Sequence, residues 1–451
     1  MSNVQARKQE RGVTILLVAV CLAALLAMAA LAIDVVTLYV ARTEAQRAAD
    51  AAALAGARMI AGSGYTSAPS SWTQSNLCQP SGPGFPALAN AQAEAVAAQN
   101  QIAGQLAKLP FAVTTIACNF TTPGNPRITV TIQRTNIPTF FARIWGRTAN
   151  SVSASSTAEA YNPSGLRVPI QVSGVKPFLV PNCDPNPANT AEPSFQCAGN
   201  LSRFVSAVDG SVTNGGSFIG ETIDFERINS GSTPAFSPPA PPAPAGSQFY
   251  ALDVDPSNPP TLCPSQSAVS CDKVGTGDNY IDNIACHSAF QFSCGQTIGG
   301  TPIAVLTGAG LGLRTREGTQ CLIHASGVGP PPGPGQDAFT PNGSGDLVTI
   351  TGGENNPNPV LQGQPNISRS DSVVTVPLYG GGCVGTGGTC IPTTTVVGFL
   401  QLGIMETETG PTKIRAVILN AAGCNPSQSG TPVTPVTGGG ISAIPVRLVQ
   451  Q

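Results

Sequence analysis

The sequence predicts an α+β protein: a long N-terminal helix that crosses a membrane, a small α/β unit behind it, and a larger mostly-β, loop-rich exported region held by disulfides. Three observations predict it. Residues 13–33, VTILLVAVCLAALLAMAALAI, contain no charge. Charged residues make up 10% of the chain, against about 25% in an average soluble domain. Of 13 cysteines, Cys21 lies in the apolar run and the rest lie beyond residue 70. The 50 glycines and 41 prolines stay short of the roughly 25–30% that marks disorder, so the remainder reads as strands and loops with a Ser, Thr, Asn and Gln surface. A net charge of −2 offers no basic footprint for nucleic acid.

The apolar run comes first. At about 1.5 Å per residue, Val13–Ile33 covers roughly the 30 Å hydrocarbon core of a bilayer. A cleavable signal peptide has a shorter apolar core and a small-residue cleavage site, whereas here helix formers continue past Asp34. Arg7, Lys8 and Arg11 precede the run and Asp34 follows it, which favours a cytoplasmic lead over residues 1–12. Arg42, Arg47 and Arg58 weaken that asymmetry. The even number of cysteines after the run, none in a C-x-x-C pair, points to disulfides in an oxidising compartment. Both arguments place residues 34–451 outside the cytoplasm.

The helix is expected to continue through the span into EAQRAADAAALAGAR at 44–58. Leu38, Ala45, Ala48, Ala49, Ala52 and Ala53 form a small-residue stripe, with Glu44 and Arg47 spaced to pair on the surface. No proline interrupts residues 13–68, and Gly62 and Gly64 offer a stop, giving one helix over 13–62. The stripe lets another element approach closely, either a sheet of the same chain or a second subunit.

ERGVTILLVAV at 10–20, followed by ALAIDVVTLYVARTEAQRAADAAALAGAR at 30–58, resembles the N-terminal segment of TadE/TadG-like proteins of the tight-adherence (Flp) pilus assembly system. A basic lead, an apolar span, an Asp, a Tyr-x-x-Arg step and an alanine block recur there in this order. The motif positions here are Gly12, Asp34, Tyr39, Arg42 and Asp50. The long region that follows is closer to the TadG-like branch. The resemblance implies a membrane-anchored pilus-assembly component with membrane lipid and other pilus-assembly proteins as partners and no cofactor. One departure concerns processing. Type IV pilins are cut after a Gly and carry Glu five residues on, whereas the fifth residue after Gly12 is Leu17, so the chain is expected to stay in the membrane.

Residues 63–162 read as a small pilin-like α/β unit. Residues 88–107 repeat apolar groups at helical spacing, and 111–118, 127–134 and 151–161 alternate as half-buried strands do. Phe140, Phe141, Ile144 and Trp145, in IPTFFARIWG at 137–146, are expected in the core, with membrane-proximal contacts as the alternative. Cys78 and Cys118 are the two cysteines of this unit and reasonable partners.

Residues 163–451 read as mostly β. Strands are expected at 168–180, 373–380, 394–405 and 413–420, the last three as an antiparallel sheet. Pro/Gly-rich stretches at 230–246 and 328–345 read as linkers or loops. The spacings of Cys263/Cys271, Cys286/Cys294 and Cys383/Cys390 suit local bridges, although twelve cysteines allow roughly ten thousand pairings.

Constellations for catalysis are fragmentary. G-x-S-x-G is absent. Ser173 and Lys176 fit S-x-x-K without its companion motifs, and His287 and His324 stand without a second His at ligand spacing. Asp209-Gly-Ser211-Val-Thr213 faintly resembles the metal site of von Willebrand A domains. Asp253 with Asp255, and Asp278, Asn279, Asp282 and Asn283, offer calcium-type oxygen ligands, but such residues more often form turns. The reading is therefore non-enzymatic: a pilus-assembly component, or a surface adhesin using the same anchor to present a ligand-binding region.

Overall fold

The computed structural model describes residues 3–78, 87–106, 113–146, 148–164, 170–184, 202–227, 248–255, 260, 263, 271–299, 303–306, 308, 310–326, 335–341, 347–384, 391–407, 413–425, 436–437 and 442–449. Helix α1 runs over Asn3–Gly62. It begins inside the charged lead, ten residues before the apolar run, where no proline stands between Asn3 and Val13. It ends where Gly64 adopts φ +81. A side chain there would meet Ile219 and the Leu419 carbonyl, so glycine serves both the turn and the close approach.

Helix α2 (Ser71–Leu77) is N-capped by the Ser70 hydroxyl, and α3 covers Leu88–Ala97. The helix expected over 88–107 stops ten residues early. Asn100 turns its side-chain amide back onto the Val96 carbonyl, and Ala103 and Gly104, both at positive φ, make the tight turn of a hairpin, β1 (Gln101–Ile102) and β2 (Gln105–Leu106). Strands β3 (Val113–Asn119), β4 (Arg127–Pro138) and β5 (Ala149–Ala160) form an antiparallel sheet. Its fourth strand comes from far away: Val446–Val449 pairs antiparallel with β5. Glu159, buried on β5, receives Arg127 at 3.1 Å and Arg447 at 2.6 Å and so clips that distant strand in place.

The larger region contains a closed barrel. The expected strand at 168–180 is two strands, β6 (Ile170–Ser173) and β7 (Phe178–Pro181), split at Gly174, whose φ is +66. Next come β8 (Thr222–Arg227), β9 (Gln248–Val254), α4 (Asn279–Ala285), β10 (Gln291–Ser293), β11 (Thr297–Ile298), β12 (Ile303–Val305), α5 (Leu311–Leu322), β13 (Ala338–Thr340), β14 (Thr349–Thr351), β15 (Val373–Val384), β16 (Ile391–Thr407), β17 (Lys413–Gly423), β18 (Val436–Thr437) and β19, the strand Val446–Val449. Strands β15, β16 and β17 pair antiparallel in that order. From β17 the ring continues through β8, β9 and β7 and returns to β15.

Period-2 alternation points Val374, Val376, Leu378, Leu400, Leu402, Ile404, Ile414, Ala416, Ile418, Phe225, Phe249 and Phe178 into one cluster. Six strands leave an interior that side chains fill. Outside the ring, the β13–β14 hairpin lays Phe339, Val348 and Ile350 on Val417 and Leu419. On another face Leu179, Leu252, Phe399 and Ala422 join the core beneath α1. The stretch 230–246 lies outside the described residues, as does most of 328–345, within which β13 forms a strand.

The four disulfides among the described residues join cysteines 23–130 residues apart. Cys78 pairs with Cys118, Cys263 with Cys286, Cys271 with Cys321 and Cys294 with Cys424. The Cys263/Cys271 and Cys286/Cys294 bridges are thus replaced, because α4 packs on α5 and brings Cys271 to Cys321, while Cys294 follows β10 toward the end of β17. Cys390 lies outside the described residues, and of Cys383 only the strand backbone is described.

Candidate anchoring site

Helix α1 has two different surroundings along its length. From Val13 to Ile33 its large apolar side chains are exposed all round, as a helix suited to lipid would be. Beyond Asp34 one face is buried: Ala41, Ala45, Ala48, Ala49, Ala52, Ala53 and Ala57 have at most 1% of their surface exposed. They join one core with Ile128, Val130 and Ile132 of β4, Ala154 and Ala158 of β5, and Ala89 and Ala93 of α3. The stripe is therefore used within the chain, against its own sheet and α3. The approach is close enough that a Cβ on Gly56 would sit 2.5 Å from Ile128 Cδ1 and 3.1 Å from the Ala89 carbonyl.

At the lower end of this packed section stands Asp34, with 3% of its surface exposed. Its carboxylate accepts the backbone N–H groups of Phe140 at 2.8 Å, Phe141 at 3.0 Å and Ala142 at 2.6 Å. Those groups open the 3₁₀ turn Ala142–Trp145, whose first N–H groups have no partner inside the turn. A single carboxylate with two oxygens satisfies all three, and its negative charge suits that end of the turn. The clamp joins α1 to the β4–β5 connection. Phe140 itself points outward and is 63% exposed, so the core position expected for it is wrong. The Asp34 carboxylate engages its backbone N–H and leaves the ring free. Phe141 is partly buried, and the side chains of Ile144 and Trp145 lie outside the described residues.

At the upper end is a second joint, polar and buried. Asn420 of β17 accepts Ser67 Oγ at 3.2 Å and donates to the Ala61 carbonyl. Asn162 donates to the Thr66 carbonyl at 3.2 Å and the Ala421 carbonyl at 3.1 Å. These two asparagines seat the end of α1 on the barrel.

The remaining motif positions divide between surface and backbone roles. Tyr39 and Arg42 are exposed and Asp50 is half-buried, accepting Gln46 at 2.8 Å. Gly12 lies within the helix. Glu44 accepts the Ala103 N–H at 2.8 Å in place of the expected Arg47 pairing, because the hairpin lies over that face.

The calcium candidates are each engaged by protein donors or turns. Asp253 accepts Asn279, Asp282 accepts the Gly275 N–H, and Asn283 donates to the Val254 carbonyl. Asp278 caps α4 and pairs with Arg314; burial pushes its pKa up, but the bonds from Arg314 and the α4 backbone outweigh this and hold it below the ordinary carboxylate range. Asp255 takes a positive φ. Asp209 accepts Ser211 as a turn former does. Among the described residues no group of three His, Cys, Asp or Glu is placed to hold a metal.

Lys176 is buried and donates to the Cys286 carbonyl at 2.7 Å; burial pulls its pKa down to about 7, against the opposing charge of Asp371. His287 is lowered by burial and by the Lys176 charge, while His324 pairs with Asp371 at 3.2 Å. An open groove of about 600 Å³ lies between β13 and the barrel, lined by Phe339, Met405, Glu406 and Arg415 among others.

Sequence patterns missed the partners of Asp34 and the asparagine joint. A lone Asp after an apolar run signals an end of the span and nothing about the three distant N–H groups. Asn162 and Asn420 look like ordinary loop and strand-end residues until β17 and α1 meet.

Residues 12–59 match the model of the Flp pilus-assembly TadE/G-like family. The match covers the exposed span, Asp34 and the buried alanine stripe. No curated protein and no solved structure matches the chain.

Proposed function

On the premise that residues 12–59 are a TadE/G-like Flp pilus-assembly segment, we propose that this protein is a membrane-anchored, non-enzymatic component of a Tad/Flp-type pilus assembly system. Its N-terminal lead is cytoplasmic, and its barrel-bearing head works through protein contacts in the periplasm or at the cell surface. The observation that carries the reading is the division of α1 at Asp34. From Val13 to Ile33 the helix is bare and apolar, and above Asp34 one face of the family segment packs on its own sheet. A helix used in this way fixes a head to a membrane, and leaves partner contacts to the surfaces of the sheet and barrel.

Fractionating cells into inner membrane and sheared surface fibres, with intact mass measured in each, tests the proposal. Full-length chain in the membrane is the expected result. A chain beginning at Val13 in the fibre fraction would instead identify a processed minor pilin, despite Leu17.

The groove beside β13 favours a second reading, a surface adhesin or binding module on the same anchor. Ligand binding by the intact protein that is lost in Arg415→Ala, with pilus assembly unaffected, would select it.

A further inference from the structure

The exposed face of α1 does not become polar where the span ends. Val35, Val36, Tyr39 and Val40 follow Asp34, and all four are exposed, Tyr39 at 72%. At about 100° per residue they lie on the side away from Ala41 and Ala45, which are buried on the sheet, and among the described residues no element covers them. Phe140 belongs to the same level. Its N–H is 2.8 Å from the Asp34 carboxylate, which ties an outward-facing aromatic ring to the first residue beyond the apolar run. Arg42 and Arg143 are exposed around this patch, and among the described residues neither forms an ion pair.

Depth identifies the occupant. A bilayer adds a polar layer of roughly 5–7 Å on each side of its hydrocarbon core. From Ile33, the Tyr39 backbone stands about 9 Å further along the helix axis, and because long helical side chains slope back toward the N-terminal end, its ring reaches down into that layer. The patch is continuous with the lipid-facing span and crosses the headgroup layer. Aromatic rings with an apolar body settle there, and arginines at that level reach phosphate oxygens.

We propose that Phe140, Tyr39, Val35, Val36 and Val40 form an interfacial collar that seats the head directly on the phospholipid headgroup layer, with Arg42 and Arg143 reaching the lipid phosphates. The Asp34 clamp sets the depth of the collar by holding the 140–142 backbone at the end of the span. This deepens the reading of α1 as a membrane anchor and rests on it.

The test uses the full chain, with Trp72→Phe and Trp145→Phe as background, reconstituted in phospholipid vesicles. Single tryptophans are placed by Phe140→Trp, by Tyr39→Trp on the helix away from the clamp, and by Leu25→Trp in mid-span. The expected result is strong quenching of the two collar tryptophans by lipid brominated near the head of its acyl chain, weak quenching by lipid brominated near the chain end, and little quenching by aqueous iodide. Collar tryptophans reached by iodide and not by brominated lipid would overturn the proposal. Shielding from both would also overturn it, showing that another protein surface covers the patch. The mid-span tryptophan separates the two readings: if deep bromines fail to quench it, the membrane anchor itself is wrong, whereas its quenching beside unquenched collar positions removes only the collar.

Discussion

Replacing Asp34 by alanine leaves the N–H groups of Phe140, Phe141 and Ala142 without their acceptor, in a place where the side chain that satisfied them was buried. The expected outcome is faster hydrogen exchange at those three amides and a lowered thermal midpoint, while Asp34→Asn, which keeps one acceptor oxygen, falls between. An Asp34→Ala protein with unchanged exchange would show that the clamp does not hold the connection. Lys176 makes a second prediction. Its pKa falls from 10.5 to about 7 in the folded chain. Below about 7 both folded and unfolded chains carry the ammonium, and folding bears the full cost of burying it. Between about 7 and 10.5 the unfolded chain holds a proton the folded one lacks, so stability rises with pH through that window. Lys176→Met should therefore be more stable at pH 7, by an amount on the order of 2–5 kcal/mol, and urea unfolding at pH 7 and 10 should show its slope with pH removed. A variant with the parent's pH dependence would exclude Lys176 as the source.

At the level of the elements, α1 meets the sheet through its own side chains no larger than alanine along most of the contact. Gly56→Val would force Ile128 and the Ala89 carbonyl aside and should cost about 1–3 kcal/mol, read as a shift in denaturation midpoint. An unchanged midpoint would mean that the sheet yields freely there. The helix, its alanine face and its glycine stop were legible in the sequence because a period of 3.6 over dozens of residues is a strong signal. The strands β15, β16 and β17 were legible for the same reason at period 2. Closure of the barrel was not, since β7 joins β15 and β8 joins β9 through parallel pairings of two residues each, which leave no local pattern. Phe140 was misplaced by composition: an aromatic cluster reads as core unless the span's edge lies beside it. The disulfide partners were hidden because each depends on which elements stack.

For the whole molecule, two joints at opposite ends of the packed part of α1 fix the head to that helix, with the asparagines 162 and 420 at the far one. Asn420→Leu removes the acceptor of Ser67 and the donor to Ala61 and should cost about 1–3 kcal/mol per buried group left unpaired. Limited proteolysis is expected to cut near residues 61–68 in that variant and not in the parent; equal resistance would count against a coupling role. Reduction should act on the same scale, because Cys294–Cys424 closes a loop of 130 residues, and its loss by Cys424→Ser is expected to cost about 2–5 kcal/mol.

The pairing of Arg447 with Glu159 spans 288 residues, and it has a temporal meaning. While the chain is still emerging, β5 is a free edge that exposes unpaired N–H and C=O groups. It stays so until the barrel has been threaded and β19 arrives. Until then the N-terminal sheet is an unfinished template, open to whatever strand reaches it first, and only a chain synthesised through to residue 449 can close it for itself.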